Sequence, residues 1–169
     1  MNARLVLAAA ALLPALAGAQ GAPAPAPTAP AGVVASVDLG GGGILGHGTQ
    51  YTPSNVLEAE VAAGYELPLG IRPELGLALG VSPRAHVALR PGVHVDLPDL
   101  PLYARAALDW SSRRRSDGTS GWRWLMVGGG ALLRLTDVLG AFAEADLGLP
   151  LASATGVGVL VRVGASFRM

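Results

Sequence analysis

Histidine is the side chain best suited to move protons or bind metals near neutral pH, and this chain has three, His47, His86 and His94. A Ser-His-acid relay on one strand face needs a serine two residues from the histidine, with a carboxylate beside it. No His-x-Ser triplet occurs. His86, His94 and Asp96 share the parity of one strand face, so their spacing permits a metal site. It equally suits an interior polar network in which these groups satisfy only each other, and that network, with no catalytic residue, no metal and no cofactor, is the expectation. The glycine runs Gly40 to Gly43 and Gly128 to Gly130 are followed neither by Lys and Ser/Thr nor by a helical pattern, so they are not phosphate loops. In a strand such glycines relieve crowding or permit bending. Arg113, Arg114 and Arg115 form a run of guanidinium forks that match phosphate geometry, or simply a solvated loop.

The elements that would position these groups begin after a leader. Met1-Asn2-Ala3-Arg4 is followed by an apolar run from Leu5 to Leu16 and then Ala17-Gly18-Ala19. A charged start, a short apolar stretch and small residues at the cleavage position describe a secretory signal peptide over residues 1–19. The apolar stretch is too short to span a bilayer comfortably, which takes about 20 residues. Residues 20–32 contain GAPAPAPTAPAG, an Ala/Pro alternation that favours extended polyproline II and serves as a semi-rigid linker. The folded domain is expected over residues 33–169.

Composition narrows its class. Cysteine is absent, which removes disulfides and thiolate metal sites from an exported protein. Charged residues make up 14% and hydrophobic residues 51%, against about 25% charged in an ordinary soluble domain. Yet no stretch after the leader is long and uncharged enough to cross a membrane as a helix. Nucleic-acid binding is not expected, because the charge without Arg4 is near −1.

Period-two alternation marks a strand with two unlike faces. Val157, Val159, Val161, Val163, Ala165, Phe167 and Met169 share one face of the last segment. Gly158, Leu160, Arg162, Gly164, Ser166 and Arg168 share the other. Ala85 to Leu97 alternates in the same way. Weaker alternation runs over Val33 to Gly43, Val56 to Leu67, Ile71 to Val81, Leu102 to Trp110, Trp122 to Leu135 and Gly140 to Leu149. The start of the Trp122 segment is ambiguous. Eight strands of about 10 residues have the tilted length that crosses a bilayer. Pro68 to Gly70, Pro98 to Pro101 and Thr136 to Leu139 read as tight turns on one rim. Ile44 to Asn55 and Ser111 to Gly121 read as long loops on the other, with Ser82 to Arg84 and Pro150 to Thr155 shorter than that rim usually carries.

The polar face carries mostly Gly, Ala and Ser with isolated charges, which suits a confined interior rather than a wet surface. The interior network is expected to comprise Asp38, Glu58, Glu60, Glu66, Arg72, Glu74, His86, Arg90, His94, Asp96, Arg105, Asp109, Arg134, Glu144, Asp146 and Arg162. Turn arithmetic sets Arg90 against Asp109, His94 against Arg105, Asp96 against Tyr103, Glu66 against Arg72 and Glu144 against Arg162. Opposite charges across a strand pair stabilise a sheet. Trp110, Trp122 and Trp124 cluster at the long-loop rim and Tyr65, Tyr103, Phe142 and Phe167 at the other, as aromatic girdles do, although parity turns Tyr103 and Phe142 inward.

On these strands the chain resembles the small outer-membrane barrels of the OmpA transmembrane domain, OmpX and OmpW type. The resemblance covers residues 33–169 and is most specific at Val157 to Met169, similar to the C-terminal signal read by the barrel-assembly machinery. That signal ends in Phe or Trp, whereas here Phe167 stands two residues early on the correct face. The resemblance implies an all-β, eight-stranded antiparallel up-and-down transmembrane β-barrel in the bacterial outer membrane. It implies outer-membrane lipid and lipopolysaccharide as partners, and the guanidinium forks of Arg113, Arg114 and Arg115 are the candidate contacts to lipopolysaccharide phosphates, a solvated loop being the alternative. The expected role is structural or surface-interacting, or permits narrow permeability, without enzymatic activity. Two rivals stay open: a soluble secreted barrel binding a small apolar ligand inside, and a lipid A-modifying enzyme using His86 or His94.

Overall fold

The computed structural model describes residues 31–46, 54–82, 85–112, 121–151 and 156–169. Eight strands follow one another: β1 (Gly32–Gly46), β2 (Ser54–Glu66), β3 (Ile71–Ser82), β4 (His86–Asp96), β5 (Leu102–Ser111), β6 (Gly121–Arg134), β7 (Leu139–Pro150) and β8 (Gly156–Arg168). Each pairs antiparallel with the next, and β8 pairs back onto β1, from Val34↔Arg168 to Gly46↔Gly156, to close the barrel. The fold is an eight-stranded antiparallel up-and-down β-barrel. Closure leaves no strand edge unpaired, the condition for placing a sheet in lipid.

The alternation in the sequence becomes an inversion of the soluble arrangement. Val37, Leu39, Val61, Leu77, Leu79, Val87 and Val163 are exposed on the outer surface, while Glu58, Glu60, Arg90, Asp109, Asp146 and Arg162 are buried in the lumen. A soluble barrel with an apolar ligand cavity would need the opposite orientation. Apart from Arg123 in β6, the charged side chains of the described strands lie on the lumen parity, and among the described residues no Asp, Glu, Arg or His points outward from a strand into the apolar belt.

The short turns predicted at one rim are present there, together with the start of β1 and the end of β8. Gly70 (φ 71°) and Asp99 (φ 62°) hold left-handed positions in two of them, conformations that Gly and Asp tolerate in turns. At the other rim β1 extends to Gly46, so the strand absorbs residues 44–46 that the sequence assigned to a loop. The reason is packing: Ile44 sits against the apolar cluster inside the barrel. The leader, most of the Ala/Pro linker, His47 and the Arg113–Arg115 run lie outside the described residues.

Strand β6 departs most from simple alternation. The β5–β6 register shifts between Asp109 and Trp110, which pair with Trp124 and Trp122 and leave Arg123 as the extra residue of a bulge. Trp122 stays on the outer surface, but Arg123 and Trp124 are both buried. Trp124 therefore belongs to the lumen rather than to the aromatic rim where its spacing from Trp122 placed it.

Candidate functional site

The lumen holds the only dense concentration of ionisable groups among the described residues. Cross-strand pairing sets its foundations. His94 faces Arg105, Asp96 faces Tyr103, and Glu144 faces Arg162 in the observed registers. Arg90 reaches Asp109 at 2.9 Å, and Arg72 lies 3.9 Å from Glu66. These are the five pairings that turn arithmetic gives.

Contacts across the lumen then join the pairs into one network. Glu60 accepts from three guanidiniums: Arg90 at 2.6 Å, Arg105 at 2.6 Å and Arg162 at 2.9 Å. Arg90 also donates to Glu58 through both terminal nitrogens. Arg105 continues to Glu74 at 2.6 Å and Glu144 at 3.1 Å. Arg162 Nη2 lies 2.6 Å from Asp146 as a charge contact, without hydrogen-bond alignment. Arg90 and Arg162 are each 1% exposed. Charges removed so completely from water persist only when paired and hydrogen-bonded.

His94 shows how fully the groups are used. Arg72 donates to its Nδ1 at 2.8 Å, and a guanidinium can only donate, so Nδ1 accepts and Nε2 carries the proton toward Asp96 at 2.9 Å. Its ring stacks on Tyr103 at 4.1 Å. Both ring nitrogens are therefore engaged within the protein. His86 lies instead beside Glu58, 3.6 Å away. His86, His94 and Asp96 do not converge, and among the described residues no group of three or more His, Asp or Glu is arranged to hold a metal ion.

Two residues of the expected network sit at its margin. Arg134 is at the turn rim with a half-exposed side chain, 3.8 Å from Asp96. Asp38 is buried, yet its Oδ1 meets no hydrogen-bond donor. Two arginines were missed. Arg168 pairs with Glu66 at 2.7 Å, and its even parity on β8, shared with Arg162, signals this. Arg123 is buried only because of the bulge, and no alternation marks it.

Glycines make the network fit. Gly76 faces Arg90 and Gly130 faces Tyr103, and a methyl at either would press on a lumen side chain. Gly80 faces His86, where a methyl would overlap the imidazole ring. Gly80→Ala is expected to push His86 away from Glu58 and destabilise the barrel by about 1–3 kcal/mol. A lower urea midpoint of the detergent-folded protein would register it.

Toward the long-loop end the lumen changes character. Val56, Ala107, Trp124, Met126 and Leu160 form an apolar layer with Ile44 against it, and Trp124 donates its indole N–H to the Gly156 carbonyl at 3.0 Å. A small cavity of about 30 Å³ remains on the turn side, beside Asp38, Tyr103 and Phe142. That is room for one or two waters rather than a solute. A second cavity of about 20 Å³ lies among Ile44, Glu58, Trp124 and Leu160 toward the long-loop end, and side chains occupy most of the lumen around the two.

An apolar exterior around a filled, charged lumen is the construction of a small transmembrane β-barrel. No protein-family model and no curated protein matches the sequence. Solved structures do resemble the chain. Neisserial surface protein A aligns with a TM-score of 0.60 at 12% identity, over 83% of this chain and 99% of that one. A de novo designed transmembrane β-barrel gives 0.55 at 17% identity, over 86% and 100%. Ail, the attachment invasion locus protein of Yersinia pestis, gives 0.54 at 13% identity, over 82% and 99%, in a complex with the heparin analogue sucrose octasulfate. At these identities the likeness establishes the fold.

Proposed function

We propose that the chain is a bacterial outer-membrane barrel with a structural and surface-interacting role, no enzymatic activity and a lumen closed to solutes. The observation that carries this reading is the sorting of charge. Among the described residues the strands direct their ionised groups inward and leave a continuous apolar exterior. Water would penalise that surface, whereas lipid requires it. The expected leader, the similarity of the closing strand to the signal read by the barrel-assembly machinery and the likeness to surface barrels support the same location.

Closure of the lumen follows from the two layers described above, a salt-bridged inner part and an apolar outer part. Interaction then falls to the long-loop rim. Arg113, Arg114 and Arg115 lie between β5 and β6, where guanidinium forks would meet lipopolysaccharide phosphates. The complex of Ail with a sulfated sugar is a precedent for polyanion contact on this fold. A lipid A-modifying role is disfavoured because His86 and His94 are buried in the lumen, away from the lipid-facing surface.

Heat-modifiability in an outer-membrane fraction tests the location. The unboiled protein is expected to migrate faster than the boiled one on a denaturing gel and to stay in the membrane fraction. A soluble periplasmic protein without a mobility shift would overturn the proposal.

A further inference from the structure

The turns of the short-turn rim are unusually apolar for segments expected to face water. Leu69, Leu100 and Val138 stand at or beside their tips, with exposures of 82%, 56% and 57%. Pro68, Pro98 and Pro101 flank the first two, so those positions carry no N–H at all.

The remaining turn backbone is largely satisfied from within. Leu67 and Gly70 donate to Ile71 and Leu67, and Leu97 and Leu100 donate to Leu102 and Leu97. Leu135 and Thr136 both donate to Leu139, while the Thr136 hydroxyl accepts from Val138 and Leu139. Turns in water often keep such bonds as well, so the pattern permits a non-aqueous setting rather than demanding one. A non-aqueous setting does need it, since each unmet polar group there costs several kcal/mol.

We propose that this rim is seated in the membrane, with Leu69, Leu100 and Val138 in the glycerol and upper acyl layer of the leaflet on the turn side. The inference rests on the membrane reading and extends it. The occupant is lipid because the tips continue the outer apolar belt without a charged side chain between them and it. The nearest turn charges, Asp99 and Asp137, would lie at headgroup level. The lumen cavity beside Asp38 would then open onto the headgroup layer rather than bulk water.

The absence of cysteine makes the test direct. Leu69→Cys, Leu100→Cys and Val138→Cys, with Leu79→Cys as the belt reference, would be nitroxide-labelled singly and folded into phosphatidylcholine–phosphatidylglycerol vesicles. Folding of each variant would be scored by the gel shift. Collisions with oxygen, which concentrates in lipid, would be compared with collisions with a water-soluble nickel chelate. The expected oxygen-to-nickel ratio at the tips is several-fold above that of the same label on urea-unfolded protein and below the Leu79 value. Tips that match the unfolded protein while Leu79 reads as lipid would overturn the inference and leave the membrane reading intact. Exclusion of both relaxants with slowed label motion would identify protein, from a second copy or the chain's own linker, and overturn it as well. An aqueous value at Leu79 would instead defeat the membrane reading, and this inference with it.

Discussion

Replacing Arg90 with alanine is expected to lower the unfolding free energy of the barrel by about 3–5 kcal/mol, the cost of removing one partner from a buried ion pair. Arg90 holds Glu58, Glu60 and Asp109 at once, and all four side chains are almost fully buried. Without the guanidinium, three carboxylates would share a low-dielectric space with too few donors. Urea titration of protein folded into vesicles would give the difference. Adding Glu58→Gln to the alanine variant should recover part of the loss, because it removes one of the stranded charges. An unchanged midpoint in Arg90→Ala would mean that water fills the lumen and screens the network, and the closed-lumen proposal would fall with it.

The second large effect is expected on the opposite face. Leu77 lies near the middle of β3, pairs with Val61 and Leu89 and is 41% exposed. Leu77→Arg places a charge at mid-depth of the apolar belt, where a guanidinium facing lipid costs about 2–4 kcal/mol. Val81→Arg, nearer the strand end, should cost about 0–1 kcal/mol because the penalty falls toward the interface. Folding yield into vesicles and the unfolding midpoint would both follow this depth order. Equal, negligible effects at the two positions would show that the outer face does not meet lipid.

Much of this architecture was legible because a barrel is a local code repeated eight times. Alternation fixed which face each strand residue takes, and a short turn then fixed which residue it opposes. That is why Arg90 with Asp109 and Glu66 with Arg72 were readable as pairs. The convergence on Glu60 was not, because Arg105 and Arg162 reach it across the lumen from strands that do not neighbour β2. Register arithmetic relates adjacent strands only. The other failure lies in β6, where one bulge residue broke the period, hid Arg123 and turned Trp122 outward although it shares the parity of the buried Trp124. A bulge leaves no periodic trace, since the interruption is the feature itself. The end of β1 was misjudged for a related reason. Its last residues, 44–46, were assigned to the loop that begins at Ile44, although the partner backbone of β8 continues the ladder to Gly46.

The seam between β1 and β8 also imposes an order in time. These strands are joined by pairings from Val34↔Arg168 to Gly46↔Gly156, and the Met169 amide donates to the Val33 carbonyl. The first strand synthesised thus finds one of its two permanent neighbours only when the last has emerged. Until then both ends of the growing sheet present open edges, which invite pairing with any other strand at hand. A chain cut before Gly156 would not be a barrel weakened by one-eighth. It would be a sheet with two sticky margins and nothing to close them.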